Sequence, residues 1–218
     1  MKKLRAARVA VFGLGGVGGA CLEALARGGI GALDLIDHDE VSLSNLNRQL
    51  LATRETIGRA KCEVAAERIR SIDPEIKVTL HEKMYLPETA AEFDFTLYDY
   101  IIDAIDTVTG KLALIKAAKA ADTPIISSMG TGNKLDASRF RISDISETSI
   151  CPLARTMRKE LKKRGIEHVK VLWSDEEPLQ GGEAPPDSSR RATPGSVSFV
   201  PPVAGFLMAG EVIRDLIR

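Results

Sequence analysis

Cysteine is scarce in this chain, and no two cysteines lie close together in the sequence. The 218 residues contain 3 cysteines, Cys21, Cys62 and Cys151. Because the cysteines are odd in number and far apart, they provide neither a disulfide framework nor the paired C-x-x-C ligands of a structural zinc site. We therefore expect reduced thiols and no bound zinc.

Long apolar runs and a net charge are also absent. No segment reaches the ~18 consecutive apolar residues that a transmembrane helix needs, and the glycine-rich N terminus lacks the cleavage pattern of a secretory signal. These features favour a cytoplasmic protein without membrane contact. The 30 Lys and Arg residues balance 30 Asp and Glu residues, so any contact with nucleic acid would require a local cluster of basic residues.

The order of the apolar segments predicts an α/β fold. Strands and helices alternate, which is typical of a doubly wound, Rossmann-like, mainly parallel sheet with helices on both faces. The predicted strands are residues 8–12, 32–36, 76–80, 98–102, 124–127, 139–142 and 169–173. The predicted helices are residues 17–27, 58–72, 108–121, 152–165 and 203–218, with a short helical segment within 42–54.

The chain is long enough for one substantial hydrophobic core, and we expect a single domain at residues 1–218. Within it we expect a nucleotide-binding core at residues 1–145. Residues 146–218 form a C-terminal extension with further strands and helices, a basic helix and a long loop at 175–195.

A glycine-rich turn follows the first predicted strand and opens the next helix. Gly13, Gly15 and Gly18 have the G-x-G-x-x-G spacing, with Gly16 between them. Such a turn lets the backbone approach a phosphate, and the helix N terminus supplies free N–H groups. Asp37 ends the second predicted strand, where a carboxylate can accept hydrogen bonds from both hydroxyls of a ribose. The pattern predicts a nucleotide site.

Charged residues beyond this turn favour ATP over NAD or FAD. Arg48 offers a bidentate fork and Lys61 a point charge, and both suit a triphosphate. Asp106 follows the fourth predicted strand, at the edge where parallel sheets bind ligands, and its carboxylate suits Mg²⁺. We predict that these three residues are catalytic and that Asp106 is the magnesium ligand, whereas Asp103 supports the structure.

These residues fall in five separated motifs, which are GLGGVG from Gly13, Asp37, SNLNRQ from Ser44, GRAK from Gly58 and DAID from Asp103. In this order they resemble the ubiquitin-activating-enzyme-like (E1-like, ThiF/MoeB/HesA) adenylyltransferase family. The resemblance implies binding of ATP and Mg²⁺ and a homodimer, and it allows a sulfur-transfer protein as a partner. It implies further nucleotide contacts from Asn45, Gln49 and Asp39, although Asp39 could instead only cap a turn.

Later segments are most similar to the branch of that family that dehydrates threonylcarbamoyladenosine in tRNA. They are CPLAR from Cys151, LKKRG from Leu161 and GSVSFVP from Gly195. This resemblance implies that ATP activates the threonylcarbamoyl carboxylate on adenosine 37 as an acyl-adenylate, and that ring closure then expels AMP. The alternatives are an adenylyltransferase for the C terminus of a ubiquitin-like sulfur carrier, and a non-catalytic scaffold.

Basic residues are concentrated in the predicted helix at 152–165. Between residues 155 and 164 there are six cations and one acid, Glu160. A helical face with cations at spacings of three and four can follow a phosphate backbone, although a solvated helix face has the same pattern. The residues that we predict to contact tRNA are Arg155, Arg158, Lys159 and Lys162, with Arg190 and Arg191 as weaker candidates.

Overall fold

The computed structural model describes residues 2–179 and 195–218. The strands are β1 (Arg8–Phe12), β2 (Ala32–Ile36), β3 (Lys77–His81), β4 (Tyr100–Asp103), β5 (Ile125–Ser128), β6 (Phe140–Asp144) and β7 (Lys170–Ser174). The α-helices are α1 (Lys2–Ala6), α2 (Gly16–Gly28), α3 (Lys61–Ile72), α4 (Val108–Ala120), α5 (Pro152–Lys163) and α6 (Val200–Ile217).

All seven strands form one sheet, in the order β3-β2-β1-β4-β5-β7-β6. Only β6 is antiparallel to its neighbour, and the other pairs are parallel. The predicted doubly wound, mainly parallel fold is confirmed. The chain order reverses at β1, which pairs with β2 on one side and β4 on the other, and ligands of such sheets bind at the carboxyl ends of the strands there.

Both faces of the sheet are buried. Val9 and Val11 of β1 point into a core formed with α2, α3 and α6, whereas Ala10 and Phe12 point into a second core formed with α4 and α5. This alternation follows from the two-residue period of a strand, and it explains why β1 is almost continuously apolar. Within the described residues, no helix has the length and apolarity needed to cross a bilayer.

Several boundaries differ from the prediction. The helix predicted from Gly58 begins at Lys61, because Gly58 has a positive φ of 83° and Ala60 forms an antiparallel bridge with Glu40. The helix predicted from Val203 begins at Val200, since prolines in a first helical turn need no N–H partner.

Two further differences concern short segments. The predicted helical segment within 42–54 contains only a 3-10 turn at Leu43–Asn45. Helix α1 is not predicted from the sequence. Residues 180–194 of the predicted long loop, including Arg190 and Arg191, lie outside the described residues.

Candidate nucleotide site

A polar cavity of about 380 Å³ opens at the carboxyl edge of the sheet, where the chain order reverses. Phe12 at the end of β1, Ile36 at the end of β2 and Ala104 just after β4 lie in its wall. The volume falls within the range of roughly 300–1,000 Å³ typical of small-molecule sites. The cavity therefore lies where this fold binds ligands.

Four helices begin at this cavity. Its lining includes Gly16 and Lys61, the first residues of α2 and α3, as well as Thr107, the N-cap of α4, and Pro201 in the first turn of α6. The first turn of a helix carries N–H groups without intrahelical partners and the positive end of the helix dipole. The N termini of α2, α3 and α4 can offer such N–H groups, whereas the first turn of α6 contains Pro201 and Pro202, which have none. Convergence of these helix ends favours a strongly anionic ligand.

The glycines of the predicted turn serve two different needs. Gly13 has a φ of +88°, and a Cβ atom added there would lie 2.6 Å from the Ala104 carbonyl oxygen. A Cβ atom on Gly18 would lie 1.7 Å from the Gly13 carbonyl oxygen, so both glycines are required by packing. At Gly15 the added atom would meet only Gln49 Nε2, at 3.9 Å. The space over Gly15 is the cavity itself, which leaves the backbone open to a ligand.

The Asp37 carboxylate is held by two backbone amides at the cavity wall. Its Oδ2 accepts a hydrogen bond from the Leu14 N–H at 2.6 Å, and its Oδ1 accepts one from the Asp39 N–H at 2.8 Å. These contacts tie the end of β2 to the glycine turn. They fix the position at which we predict the ribose contact.

Lys61 is almost fully buried, with 5% of its side chain exposed. Its Nζ donates a hydrogen bond to Asp39 Oδ2 at 2.8 Å and lies 3.9 Å from Asp37 Oδ2. Partial burial raises the pKa of Asp39, but the hydrogen bond and charge of Lys61 outweigh it, so this pKa lies below its ordinary value. Asp39 thus does more than cap a turn, because it balances a buried cation at the cavity.

Arg48 and its neighbours form a turn on another side of the cavity. The Arg48 Nη1 donates to the Ser44 carbonyl oxygen at 3.0 Å and to Asn47 Oδ1 at 2.9 Å, and no carboxylate among the described residues pairs with it. Asn45 is buried and caps the turn, since its Oδ1 accepts from the Ser42 N–H at 3.0 Å. The cationic charge of Arg48 is therefore available to a ligand.

Three buried side-chain oxygens in the described part of the chain lack a hydrogen-bond partner, and all three belong to residues that line this cavity. They are Gln49 Oε1, the Tyr85 hydroxyl and Thr107 Oγ1. Burying a polar group without a partner is costly, so their grouping indicates that a ligand or water satisfies them. Burial, with a contribution from the charge of Asp103, raises the pKa of Tyr85 to about 12.

The two aspartates of the DAID motif differ in their surroundings. Asp103 is fully buried; it accepts hydrogen bonds from Ser127 Oγ at 2.6 Å and from Lys111 Nζ at 3.1 Å. It also accepts from the Ile105 N–H at 3.1 Å, which bends the chain after β4. These contacts hold Asp103 inside the fold, whereas Asp106 is exposed and lies in the cavity wall.

A second group of acidic and imidazole side chains lies at the end of β2. The donor atoms of Asp37, His38 and Asp39 lie within 4.8 Å of one another, an arrangement that could hold a cation, although exposed acidic groups are common without one. Asp106 is not part of that group. The carboxylates that face the cavity thus come from the ends of both β2 and β4.

Several lining residues have no local sequence signal. Tyr85 lies after β3, Thr131 and Gly132 lie after β5, and Ser196 and Pro201 lie in the C-terminal part of the chain. Only the similarity of the GSVSFVP segment to the branch that dehydrates threonylcarbamoyladenosine points toward Ser196 and Pro201. The C-terminal residues therefore complete the cavity that the first 145 residues begin.

The predicted tRNA-binding helix is α5. Arg155, Lys159 and Lys162 are exposed and have no carboxylate partner among the described residues. Arg158 instead donates from Nη1 to the carbonyl oxygen and the hydroxyl of Thr148. Three of the four predicted cations thus remain open to a partner.

The other two cations of the cluster, Lys163 and Arg164, pair with Glu160 of the same helix. Lys163 Nζ lies 2.7 Å from Glu160 Oε1, and Arg164 Nη1 lies 2.7 Å from Glu160 Oε2. Their hydrogen bonds and charges lower the pKa of Glu160 to about 2. These two cations are balanced, so they offer less to a phosphate backbone.

The three cysteines are free and buried. Cys151 lies at the N-cap of α5 with 1% of its surface exposed, so its sulfur is closed to a macromolecular substrate. Burial raises the pKa of Cys62 to about 12. Neither thiol has the exposed, electropositive surroundings of a nucleophile.

Comparison with known proteins assigns the chain to a family. A family model described as the ThiF family matches residues 1–218. The chain belongs to the ThiF family. Its fold, its glycine turn and the cluster of Asp37, Arg48 and Lys61 around one cavity are thus features of a ThiF-family protein.

Two similar sequences and one similar structure carry the same enzyme name. The tRNA threonylcarbamoyladenosine dehydratase of Bacillus subtilis (strain 168) is 42% identical over 229 residues, which cover 100% of this chain and 90% of that protein. The Escherichia coli (strain K12) protein of the same name is 44% identical over 156 residues, 72% of this chain and 58% of that protein. The structure of an E. coli tRNA N6-threonylcarbamoyladenosine dehydratase in complex with ATP has a TM-score of 0.90 and 34% identity. The superposition with that structure covers 99% of this chain and 88% of that chain.

Proposed function

We propose that this chain is an ATP-dependent dehydratase that cyclises N6-threonylcarbamoyladenosine at position 37 of tRNA. The observation that carries the proposal is the similarity to dehydratases of that name along the whole chain, one of them solved with ATP. The cavity supports it, because cations and helix N termini suited to a triphosphate converge there.

Specific residues would hold ATP in this cavity. Gly15 leaves the backbone at the start of α2 open to the phosphates, and Asp37 would accept hydrogen bonds from the ribose hydroxyls. Gly16 would line the phosphates as well, but a Cβ atom there would lie 2.8 Å from Pro201 Cβ, so packing also requires this glycine. Arg48 and Lys61 would neutralise the phosphate charge as a fork and a point charge, respectively. Asn45 and Gln49 lie beside Arg48, where their amide groups complete the polar wall.

Magnesium fits the carboxylates that face the cavity. Asp106 is exposed there, and hard carboxylate oxygens are the ligands that Mg²⁺ prefers. Asp106 would therefore hold the ion beside the phosphates, and Asp37 and Asp39 at the end of β2 are further carboxylates that line the cavity. A bound Mg²⁺ supplies neutralisation of charge that develops on the phosphates.

The reaction requires no nucleophile from the protein. The carboxylate of the threonylcarbamoyl group attacks the α-phosphorus of ATP, which forms an acyl-adenylate and releases pyrophosphate. A nucleophilic atom of the same modified base then attacks the activated carbonyl carbon and gives up its proton to solvent. The ring closes as the bond from this carbon to the adenylate oxygen breaks, and AMP leaves with that carboxylate oxygen. The chain contributes positioning and stabilisation of charge through Arg48 and Lys61, each amounting to about 2–4 kcal/mol of the barrier.

The tRNA would lie across α5 and reach the cavity with its modified base. Arg155, Lys159 and Lys162 are exposed and unbalanced, so they can contact the phosphate backbone. Arg158 is the weaker contact, because Thr148 already accepts hydrogen bonds from it.

We also propose a cytoplasmic homodimer built from single-domain subunits. Phe199 at the N-cap of α6 and Phe206 and Leu207 within this helix expose 50%, 45% and 40% of their surfaces, and exposed apolar side chains are typical of protein interfaces. A sulfur-transfer protein is a further partner that the family resemblance allows.

The test uses tRNA that carries threonylcarbamoyladenosine. With the chain and Mg-ATP, the nucleoside recovered from that tRNA is expected to lose the mass of one water, and AMP and pyrophosphate are expected in equal amounts. Unchanged nucleosides under saturating Mg-ATP would overturn the proposal. Pyrophosphate exchange that requires a ubiquitin-like carrier protein, and not tRNA, would instead establish the alternative activity.

A further inference from the structure

The side chain of Asn47 joins two distant parts of the chain beside the cavity. Its Nδ2 donates a hydrogen bond to the Ser196 carbonyl oxygen at 2.9 Å, and its Oδ1 accepts one from Arg48 Nη1 at 2.9 Å. The amide nitrogen of Asn47 is thus used as a donor and its oxygen as an acceptor. Asn47 is not among the residues that line the cavity, so it would not touch a ligand there.

Arg48 is held through a single nitrogen. Nη1 carries both of its described contacts, to Ser44 and to Asn47. Its side chain packs on the first turn of α2, since a Cβ atom added at Gly16 would lie 3.5 Å from Arg48 Cγ. The other guanidinium nitrogens have no partner among the described residues, which leaves them for an anion at the start of α2.

The carbonyl that Asn47 binds is itself fixed. The Gly195 N–H donates to Asn133 Oδ1 at 2.6 Å, and the Asn133 N–H donates to the Gly195 carbonyl oxygen at 2.8 Å. Asn133 adopts a positive φ of 55° and directly follows Thr131 and Gly132 of the cavity wall. Ser196 therefore provides Asn47 with a defined acceptor, anchored to the loop after β5.

We propose that Asn47 is a positioning residue that holds the Arg48 guanidinium at the triphosphate by tying it to the C-terminal segment. This inference rests on the proposed ATP site. A short amide is suited to the task, since it supplies one donor and one acceptor at once. Asparagine-to-alanine replacement removes both bonds and frees Arg48 to take other side-chain conformations.

The test compares the affinities for ATP and for AMP in four proteins: the unaltered chain, Asn47→Ala, Arg48→Ala and the double variant. Asn47→Ala is expected to weaken ATP binding about three- to tenfold, the size of one lost hydrogen bond, and to leave AMP binding unchanged. In the Arg48→Ala background the same replacement is expected to have no further effect, because Asn47 acts through Arg48.

A second variant tests the anchor without straining the backbone. Asn133→Gly keeps the positive φ and removes the acceptor for the Gly195 N–H, so it is expected to reproduce the selective loss of ATP affinity at a smaller size. Thermal unfolding of each variant verifies that the fold is retained.

Three results would overturn the role of Asn47. The first is unchanged ATP affinity in Asn47→Ala. The second is an equal loss for ATP and AMP, and the third is an undiminished loss in the Arg48→Ala background, as a general loosening of the cavity would give. These measurements need no tRNA. A chain that binds ATP but leaves modified tRNA unchanged would therefore contradict the proposed reaction and not the role of Asn47.

Discussion

Lys61 Nζ donates a hydrogen bond to Asp39 Oδ2 at 2.8 Å, and this pair joins the start of α3 to the turn after β2 at the cavity wall. The lysine side chain is buried, whereas half of the Asp39 side chain is exposed, at 51%. The ammonium is thus fixed by its burial, and the exposed carboxylate can give way to a phosphate. The pair places a defined positive charge at the proposed triphosphate.

Lys61→Ala is expected to lower the rate of AMP formation about 10²- to 10³-fold, because it removes preorganised charge at the phosphates. Steady-state assays of AMP and pyrophosphate measure this change. Lys116→Ala is the matched control, since Lys116 is an exposed lysine of α4 outside the cavity. Equal activities of the two variants would show that Lys61 has no part in the reaction.

The glycine turn allows a pair of variants that separate folding from binding. Gly15→Ala is expected to fold normally and to bind ATP at least tenfold more weakly, because the new methyl group enters only the cavity. Gly18→Ala is expected to prevent stable folding, since its Cβ would overlap the Gly13 carbonyl oxygen. Circular dichroism and ATP titration of both variants measure these outcomes. Normal ATP affinity in Gly15→Ala would contradict the placement of the phosphates.

Local sequence patterns predict the part of the site that is built from consecutive residues. The turn at Gly13, the acid at Asp37 and the cations Arg48 and Lys61 each lie in or beside a short motif, and the strand order then brings them together. Sheet topology decides this assembly, because parallel strands place their carboxyl ends at one edge.

Residues contributed by distant segments are not predictable in this way. Tyr85 reaches the cavity only through tertiary packing, and nothing in its neighbouring residues marks it. Ser196 is marked only by the similarity of its GSVSFVP segment to one branch of the family. The sequence pattern predicts the start of α3 at Gly58 instead of Lys61 for a similar reason. The bridge between Ala60 and Glu40 is a contact across twenty residues that no helical pattern reveals.

Acid sensitivity is expected from Asp34, a buried carboxylate in the middle of β2. Asp34 Oδ1 accepts from Arg8 Nε at 2.7 Å, and Asp34 Oδ2 lies 2.9 Å from His81 Nε2. Burial raises the pKa of Asp34, but the hydrogen bonds and charges of His81 and Arg8 outweigh it and hold the pKa below its ordinary value. The stabilisation is therefore complete above the unfolded-state pKa of about 3.9, and it is lost as the pH falls through the lower folded-state pKa.

Asp34→Asn is accordingly expected to lower the free energy of unfolding by about 2–3 kcal/mol at pH 7, the cost of weakened charged hydrogen bonds. The difference from the unaltered chain is expected to shrink as the pH falls below about 4. Urea unfolding at several pH values measures both quantities, with the exposed Glu88→Gln as control. A difference that stays constant down to pH 2 would contradict the account of Asp34.

The open cations of α5 are expected to determine the affinity for tRNA. Replacing Arg155, Lys159 and Lys162 by alanine is expected to raise the KM for tRNA about tenfold or more and to leave ATP binding unchanged. The slope of log affinity against log salt is expected to fall by about 0.7–0.9 per lost phosphate contact. Lys163→Ala serves as control, because Glu160 already pairs with that lysine. Unchanged affinity and salt slope in the triple variant would place the tRNA on another surface.

The proposed reaction begins when a carboxylate of the modified base attacks the α-phosphorus of ATP in this cavity. Modified tRNA carrying oxygen-18 in both carboxylate oxygens, incubated with the chain and Mg-ATP, tests it directly by mass spectrometry of AMP and of the nucleoside. We expect one labelled oxygen in AMP, the other retained in a nucleoside that has lost one water, and none in pyrophosphate. AMP without label, or labelled inorganic phosphate formed together with ADP, would contradict the proposed adenylation.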